Sequence, residues 1–252
     1  MESSVALGKY VYAFVWAQDA ESILEGQFTG LNDCSLTSSA VGSLAAITSD
    51  IPIEKIRPRR QLLAAHQSVV TEISRNWDML PVSFGLIAES DAELTRILTA
   101  NADILETQLN RVGGQVEMNL VIRLNTENVF QYFVDRFPDL QEARALITSG
   151  ATRDEMIEMG RLFERLLATE RDKHSHQILS AIQNVCKETE VQPPRNEGEI
   201  VRLNCLIDRS DEAEFTAAIH LAAQKYNEDY VFNFSGPWPP YSFVTLSLSR
   251  DE

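Results

Sequence analysis

The chain switches hydrophobic period several times along its length, and this switching narrows the architectures open to it. Lys9-Tyr-Val-Tyr-Ala-Phe-Val-Trp16 concentrates aromatic and β-branched residues, a strand signal. From about Pro58, the residues Leu62, Leu63, His66, Val69, Val70, Ile73 and Trp77 recur at spacings of three and four. That is an amphipathic helix with Pro58 near its first turn. Met79 to Ala88 returns to strand character, with Pro81 and Gly85 marking an edge or a bulge. Ser90 then caps a helix, with Glu93 three residues on, and Leu94, Ile97, Leu98, Ala102, Leu105 and Leu109 form its stripe. Glu117 to Leu124 is the next strand. The set reads as an α+β unit.

Gly113-Gly114 is the best boundary, because the pattern afterwards differs. The reading is two domains, 1–113 and 114–252, the second holding a helical insertion over 126–190. Within the insertion, Phe130, Phe133, Val134 and Phe137 stop at Pro138, and Leu140, Ala143, Leu146 and Ile147 stop near Gly150. A long segment follows from about Arg153, with Met156, Ile157, Met159, Leu162, Phe163, Leu166 and Leu167. Its apolar stripe lapses through Thr169 to Gln177 and resumes at Ile178, Leu179, Ile182, Val185 and Cys186. A gap of about nine residues is roughly 13 Å of helix. Either the helix projects past its core there or it turns back as a hairpin, and both place Glu170 to His176 in solvent.

Glu199 to Asp208 is strongly β, and Ser210 or Asp211 caps a last helix that buries Phe215, Ile219, Leu221, Ala222 and Tyr226. Two alternating runs then flank Gly236-Pro237-Trp238-Pro239-Pro240. Tyr230, Phe232 and Phe234 share one face of the first run, and Val244, Leu246 and Leu248 share one face of the second. This predicts an antiparallel hairpin with a stiff tip, and a four-stranded antiparallel sheet with helices on one face. Trp238 is either a plug in its own protein or an anchor for a partner. No internal repeat is visible.

Acidic residues outnumber basic ones by 37 to 22, for a net charge of −15. That excess argues against a nucleic-acid partner. The start lacks a basic n-region, and no apolar run approaches the roughly 18 residues of a spanning helix, so no membrane association is expected. Cys34, Cys186 and Cys205 are odd in number and far apart, which suits buried free thiols in a reducing cytoplasm.

His174-x-His176, with Glu170, Asp172 and Lys173 nearby, is the nearest approach to a metal cluster. Helical residues two apart diverge by about 200°, and Glu170 with His174 supplies only two ligands on one face, too few for zinc. The segment is better read as solvated charge and a possible interaction surface. His66 lies on an apolar stripe and reads as half-buried packing rather than a catalytic base, and His220 has no assignable partner. No phosphate loop, nucleophile elbow or dinucleotide fingerprint occurs, and no cofactor is expected. The aromatic face at Tyr230, Phe232 and Phe234 lacks the cationic surroundings of an RNA-stacking sheet.

Gly236-Pro-Trp-Pro-Pro-Tyr-Ser-Phe243, behind a helix ending in Lys225-Tyr226 and the strand Phe232-Asn-Phe-Ser235, resembles the C-terminal signature of the gas vesicle protein F/L family. Tyr10-Val-Tyr-Ala13, Leu80-Pro-Val-Ser-Phe-Gly85 and Val116-Glu-Met118 extend the resemblance, and the F branch is the better match. Val82-Ser83 stands where a basic residue is expected in many relatives. The resemblance implies two α+β domains, the second a modified ferredoxin-like sheet enlarged by long helices. It implies no catalysis; the alternative reading is an enzyme that uses the ferredoxin-like sheet as a small-ligand pocket around His66 or His220. It also implies a minor structural or assembly role in gas vesicle formation, with the shell protein and other accessory gas vesicle proteins as partners. Within the signature Gly236, Pro237, Trp238, Pro239, Pro240, Tyr241 and Phe243, the turn reads first as a rigid closure of the second domain.

Overall fold

A computed structural model describes residues 6–26, 28–53, 56–148, 150 and 152–249. The chain divides into two units, one formed by residues up to Glu117 together with those from Gly236 onward, the other by Met118–Ser235. The residues from Gly236 onward, expected in the second domain, group with the first unit.

In the first unit, β1 (Leu7–Trp16) has Tyr10 through Val15 with no exposed surface at all. A strand buried on both faces needs no alternation, which is why its sequence is a near-continuous apolar run. The order of elements is β1, α1 (Ala20–Glu25), β2 (Leu36–Val41), β3 (Leu44–Pro52), α2 (Arg60–Asn76), β4 (Met79–Pro81), β5 (Ile87–Ala88), α3 (Asp91–Ala100) and α4 (Ala102–Val112). The strands lie in the order β2-β3-β1-β4, and β5 also pairs with β1. β1 is antiparallel to β3, β4 and β5. Pro81 thus sits on an edge strand, where a missing N–H costs nothing. Ser90 Oγ caps α3 by accepting from the Glu93 amide at 3.1 Å. The single helix expected up to Gly113 breaks at Asn101, whose buried Nδ2 donates to the Ile97 carbonyl at 2.7 Å.

The second unit holds most of β6 (Gln115–Leu124), all of α5 (Val129–Val134), α6 (Pro138–Thr148), α7 (Arg153–Ile182), β7 (Cys186–Val191), β8 (Glu199–Asp208) and α8 (Glu212–Ala223), and β9 (Tyr230–Trp238) as far as Ser235. Its sheet runs β7-β8-β6-β9. The fold is α+β with two sheets and inserted long helices. Counted within each unit, both sheets place their first four strands in the order two, three, one, four. The side chain of Ile147 lies outside the described residues.

The four-stranded sheet takes its edge from β7, inside the region read as helical, and not from a second hairpin arm. β7 reads Cys-Lys-Glu-Thr-Glu-Val, and its residues from Glu188 onward are mostly exposed, so no apolar alternation announces it. The hairpin over Tyr230–Leu248 does not form. β9 runs on to Trp238, Pro239 and Pro240 are buried and offer no N–H, and a 3-10 turn at Tyr241–Phe243 redirects the chain. Val244, Leu246 and Leu248 are still half-buried, with Thr245 and Ser247 exposed. Of the three free thiols, Cys205 is buried, and Cys34 and Cys186 are half-buried.

The first unit's core closes around His66, which is 3% exposed rather than half-buried. Nε2 lies 3.0 Å from the Val82 carbonyl, which can only accept, so Nε2 carries the proton. Nδ1 then accepts from the Tyr10 hydroxyl at 2.8 Å, and Tyr10 in turn accepts from the Gly85 amide at 3.2 Å. Tyr12 stacks on the same ring at 5.7 Å. Burial pushes the His66 imidazole down to about 4. Below 6.5 the unfolded imidazole takes up a proton that the folded one refuses until about pH 4. Stability therefore falls as pH falls through that window, by at most about 3 kcal/mol from this group. In urea denaturation between pH 6.5 and 4.5, His66→Gln should show a shallower loss of stability than the parent chain.

Candidate functional site

In the second unit α7 carries the chemistry. Thr152 caps it by accepting from the Glu155 amide, and the Glu155 carboxylate returns the bond to the Thr152 amide at 2.7 Å. Phe163, Leu167, His174, Ile178 and Ile182 are its buried residues, at helical spacing. The stripe therefore does not lapse over 169–177. It turns polar. The expectation that Glu170 to His176 lie in solvent is corrected: His174 is 7% exposed, while Lys173 and His176 are exposed.

A buried imidazole is tolerable because both its nitrogens are engaged. Nδ1 lies 3.1 Å from the Tyr226 hydroxyl, and Nε2 lies 3.1 Å from that of Tyr230. Tyr226 donates to Gln177 Oε1 at 3.3 Å, which makes Nδ1–H the donor to Tyr226 and leaves Nε2 to accept from Tyr230. Burial is the first cause that lowers the His174 imidazole below its usual value, with Glu170 acting against it from 3.4 Å. Burial likewise raises the Tyr226, Tyr230 and Tyr132 hydroxyls. At neutral pH the network is uncharged.

This network backs a cavity of about 890 Å³. Ile178, Ala181 and Ala222 supply its apolar surface, and Arg136, Lys173 and Lys225 its charges. Arg136 lies 3.6 Å over the Tyr132 ring and pairs with Asp229 at 2.6 Å. Lys173 pairs with Glu170 at 3.2 Å. His176 donates Nδ1–H to the Asp172 carbonyl at 2.7 Å. The structure thus brings Lys173, His174 and His176 to one cavity, with Glu170 behind it. Tyr132, Arg136 and Gln177 also line it and were not singled out from the sequence, and Lys225 was named there only as the end of the last helix. Their only sequence signal is the i, i+4 pair Tyr132/Arg136. Among the described residues no group of three or more His, Cys, Asp or Glu is arranged to hold a metal.

The signature residues belong to the first unit. Gly236-Pro237 is a cis peptide, and Gly236 has a φ of +142°, which only glycine adopts readily. The buried Glu117 carboxylate accepts from the Ser242 amide at 2.9 Å and from its hydroxyl at 3.0 Å. Arg111 donates to the Phe243 carbonyl at 2.8 Å. The Tyr241 hydroxyl lies 3.2 Å from His66 Nε2, and Asn101 holds Ser249 by its amide and carbonyl at 2.9 and 3.1 Å. The turn is anchored to the first unit, which corrects its assignment to the second domain. Phe243 is 5% exposed and Trp238 is 38% exposed, so Phe243 and not Trp238 is the buried plug.

An α+β protein with two four-strand orders of one kind, long helices inserted in the second and a proline-rich C-terminal clasp is a recognisable class. The chain belongs to the family described as gas vesicle synthesis protein GvpL/GvpF, which it matches over residues 8–245. It is 30% identical over 210 residues to gas vesicle protein F of a Streptomyces strain, covering 81% of this chain and 85% of that one. It is 25% identical over 257 residues to gas vesicle protein L2 of Halobacterium salinarum, covering 94% and 91%. The crystal structure of GvpF from Anabaena has the same fold, with a TM-score of 0.83 at 20% identity over 95% of this chain and 99% of that one.

Phe243 is a buried aromatic side chain, so Phe243→Ala should destabilise by about 3–5 kcal/mol. Trp238→Ala should cost less than half as much by the same thermal or urea melts. Equal losses would return Trp238 to the role of core plug.

Proposed function

We propose that the chain is a non-enzymatic accessory of gas vesicle formation that binds the shell protein and other accessory gas vesicle proteins. The observation that carries this reading is the family match from residue 8 to residue 245. On this reading the second unit is a modified ferredoxin-like domain, supported by its βαββαβ succession and strand order. The protein works in the cytoplasm, on or beside the forming gas vesicle. Among the described residues no helix is long and apolar enough to cross a membrane.

His66, the best-placed candidate base of an enzyme, speaks for the non-enzymatic reading. It is sealed in the core with both nitrogens occupied and is neutral well below pH 7. For contact with an apolar shell subunit, Leu146, Met156 and Ile157 stand exposed near the end of α6 and the start of α7. Apolar side chains left in solvent are candidates for a partner's surface. The cavity residues Lys173, His174 and His176, with Glu170, supply a polar surface of different chemistry.

Deleting the gene should abolish flotation of cells, and supplying it from a plasmid should restore it. Normally buoyant deletion cells would overturn the proposal. Floating isolated vesicles by centrifugation then separates a retained component from an assembly factor left in the infranatant.

A further inference from the structure

We propose that the cavity of the second unit binds an acidic peptide segment of a partner protein, one that sets carboxylates beside an aliphatic side chain. The inference rests on the reading of the chain as an interaction protein. Its starting point is a reversal of charge. In a chain of net charge −15, the wall of this cavity holds Arg136, Lys173 and Lys225 and no carboxylate. Glu170 and Asp229 stand outside the lining and partly neutralise Lys173 and Arg136. Lys225 makes no ion pair among the described residues and is exposed. It is the charge left to be matched from outside.

The remaining wall suits a peptide. Ile178, Ala181 and Ala222 offer an apolar bed for one aliphatic side chain, and the Tyr226 and Tyr230 rings flank it. Asn227 and Gln177 bring amide groups able to bond a main chain. A volume of about 890 Å³ holds a few side chains. Because Tyr226 and Tyr230 are fixed by His174, this wall is preformed, and binding need not order it first. The protein's overall negative field repels long polyanions while leaving this local positive site open to a short acidic segment.

The test is fluorescence anisotropy with the full chain and a fluorescein-labelled synthetic dodecapeptide of glutamate and leucine in a two-to-one ratio. A second peptide with lysine in place of glutamate is the control. The glutamate peptide should bind, more weakly as salt rises, and Lys225→Glu and Lys173→Glu should each raise its Kd about tenfold. Both lysines are exposed, and circular dichroism checks that the variants fold. A lysine peptide that binds as well or better, as the net charge alone would dictate, overturns the proposal. So does an unchanged Kd in both folded variants. Self-association abolished by Lys225→Glu, without peptide binding, would assign the cavity to a second copy of this chain and also overturn it. Cells that need the protein for flotation although it ignores the peptide would remove this inference alone. Dispensability with peptide binding intact would remove the broader function and keep the cavity.

Discussion

His66 holds the Tyr10 hydroxyl with one ring nitrogen and the Val82 carbonyl with the other, in a place that water barely reaches. The arrangement ties α2 to the central strand β1 and to the loop after β4. Tyr241 then adds the C-terminal turn to the same ring. An imidazole so placed must remain neutral and must keep both partners, since an unmet buried polar group costs about 1–3 kcal/mol. The constraint therefore propagates. Gly85, which donates to Tyr10, and Phe84, which packs edge-on to the ring at 5.8 Å, belong to the same Leu80–Gly85 segment that carries part of the family resemblance. Glu117 and Arg111 complete the clasp by satisfying the backbone of the turn.

The second unit repeats the device with different surroundings. His174 sits between two tyrosine hydroxyls, but there the network stands at the back of an open cavity rather than inside a sealed core. The consequence is a rigid, neutral wall beneath a cationic rim.

Much of the fold was legible in the residues. The apolar run of β1, the three-and-four spacing of α2, the Ser90 cap and the strands at β6 and β8 all follow from local period and propensity. β7 was not legible, because an exposed edge strand carries charge where a core strand carries an apolar face. Its existence is decided by pairing with β8. The role of His174 was hidden for a related reason. A polar residue at a core position looks like a break in the stripe until Tyr226 and Tyr230, some fifty residues away, are seen to satisfy it.

By itself the sequence determined the α+β class, the acidic character and the family, the last through a proline-rich octapeptide and its companion segments. Only the tertiary structure decided that this octapeptide closes the first unit, that Phe243 rather than Trp238 is its plug, and that both sheets share one strand order. The bond from Glu117 to Ser242 spans 125 positions, and that from His66 to Tyr241 spans 175. Local period reports which face of an element is apolar. It does not report which distant element covers that face, and pairings at these separations are set by packing alone.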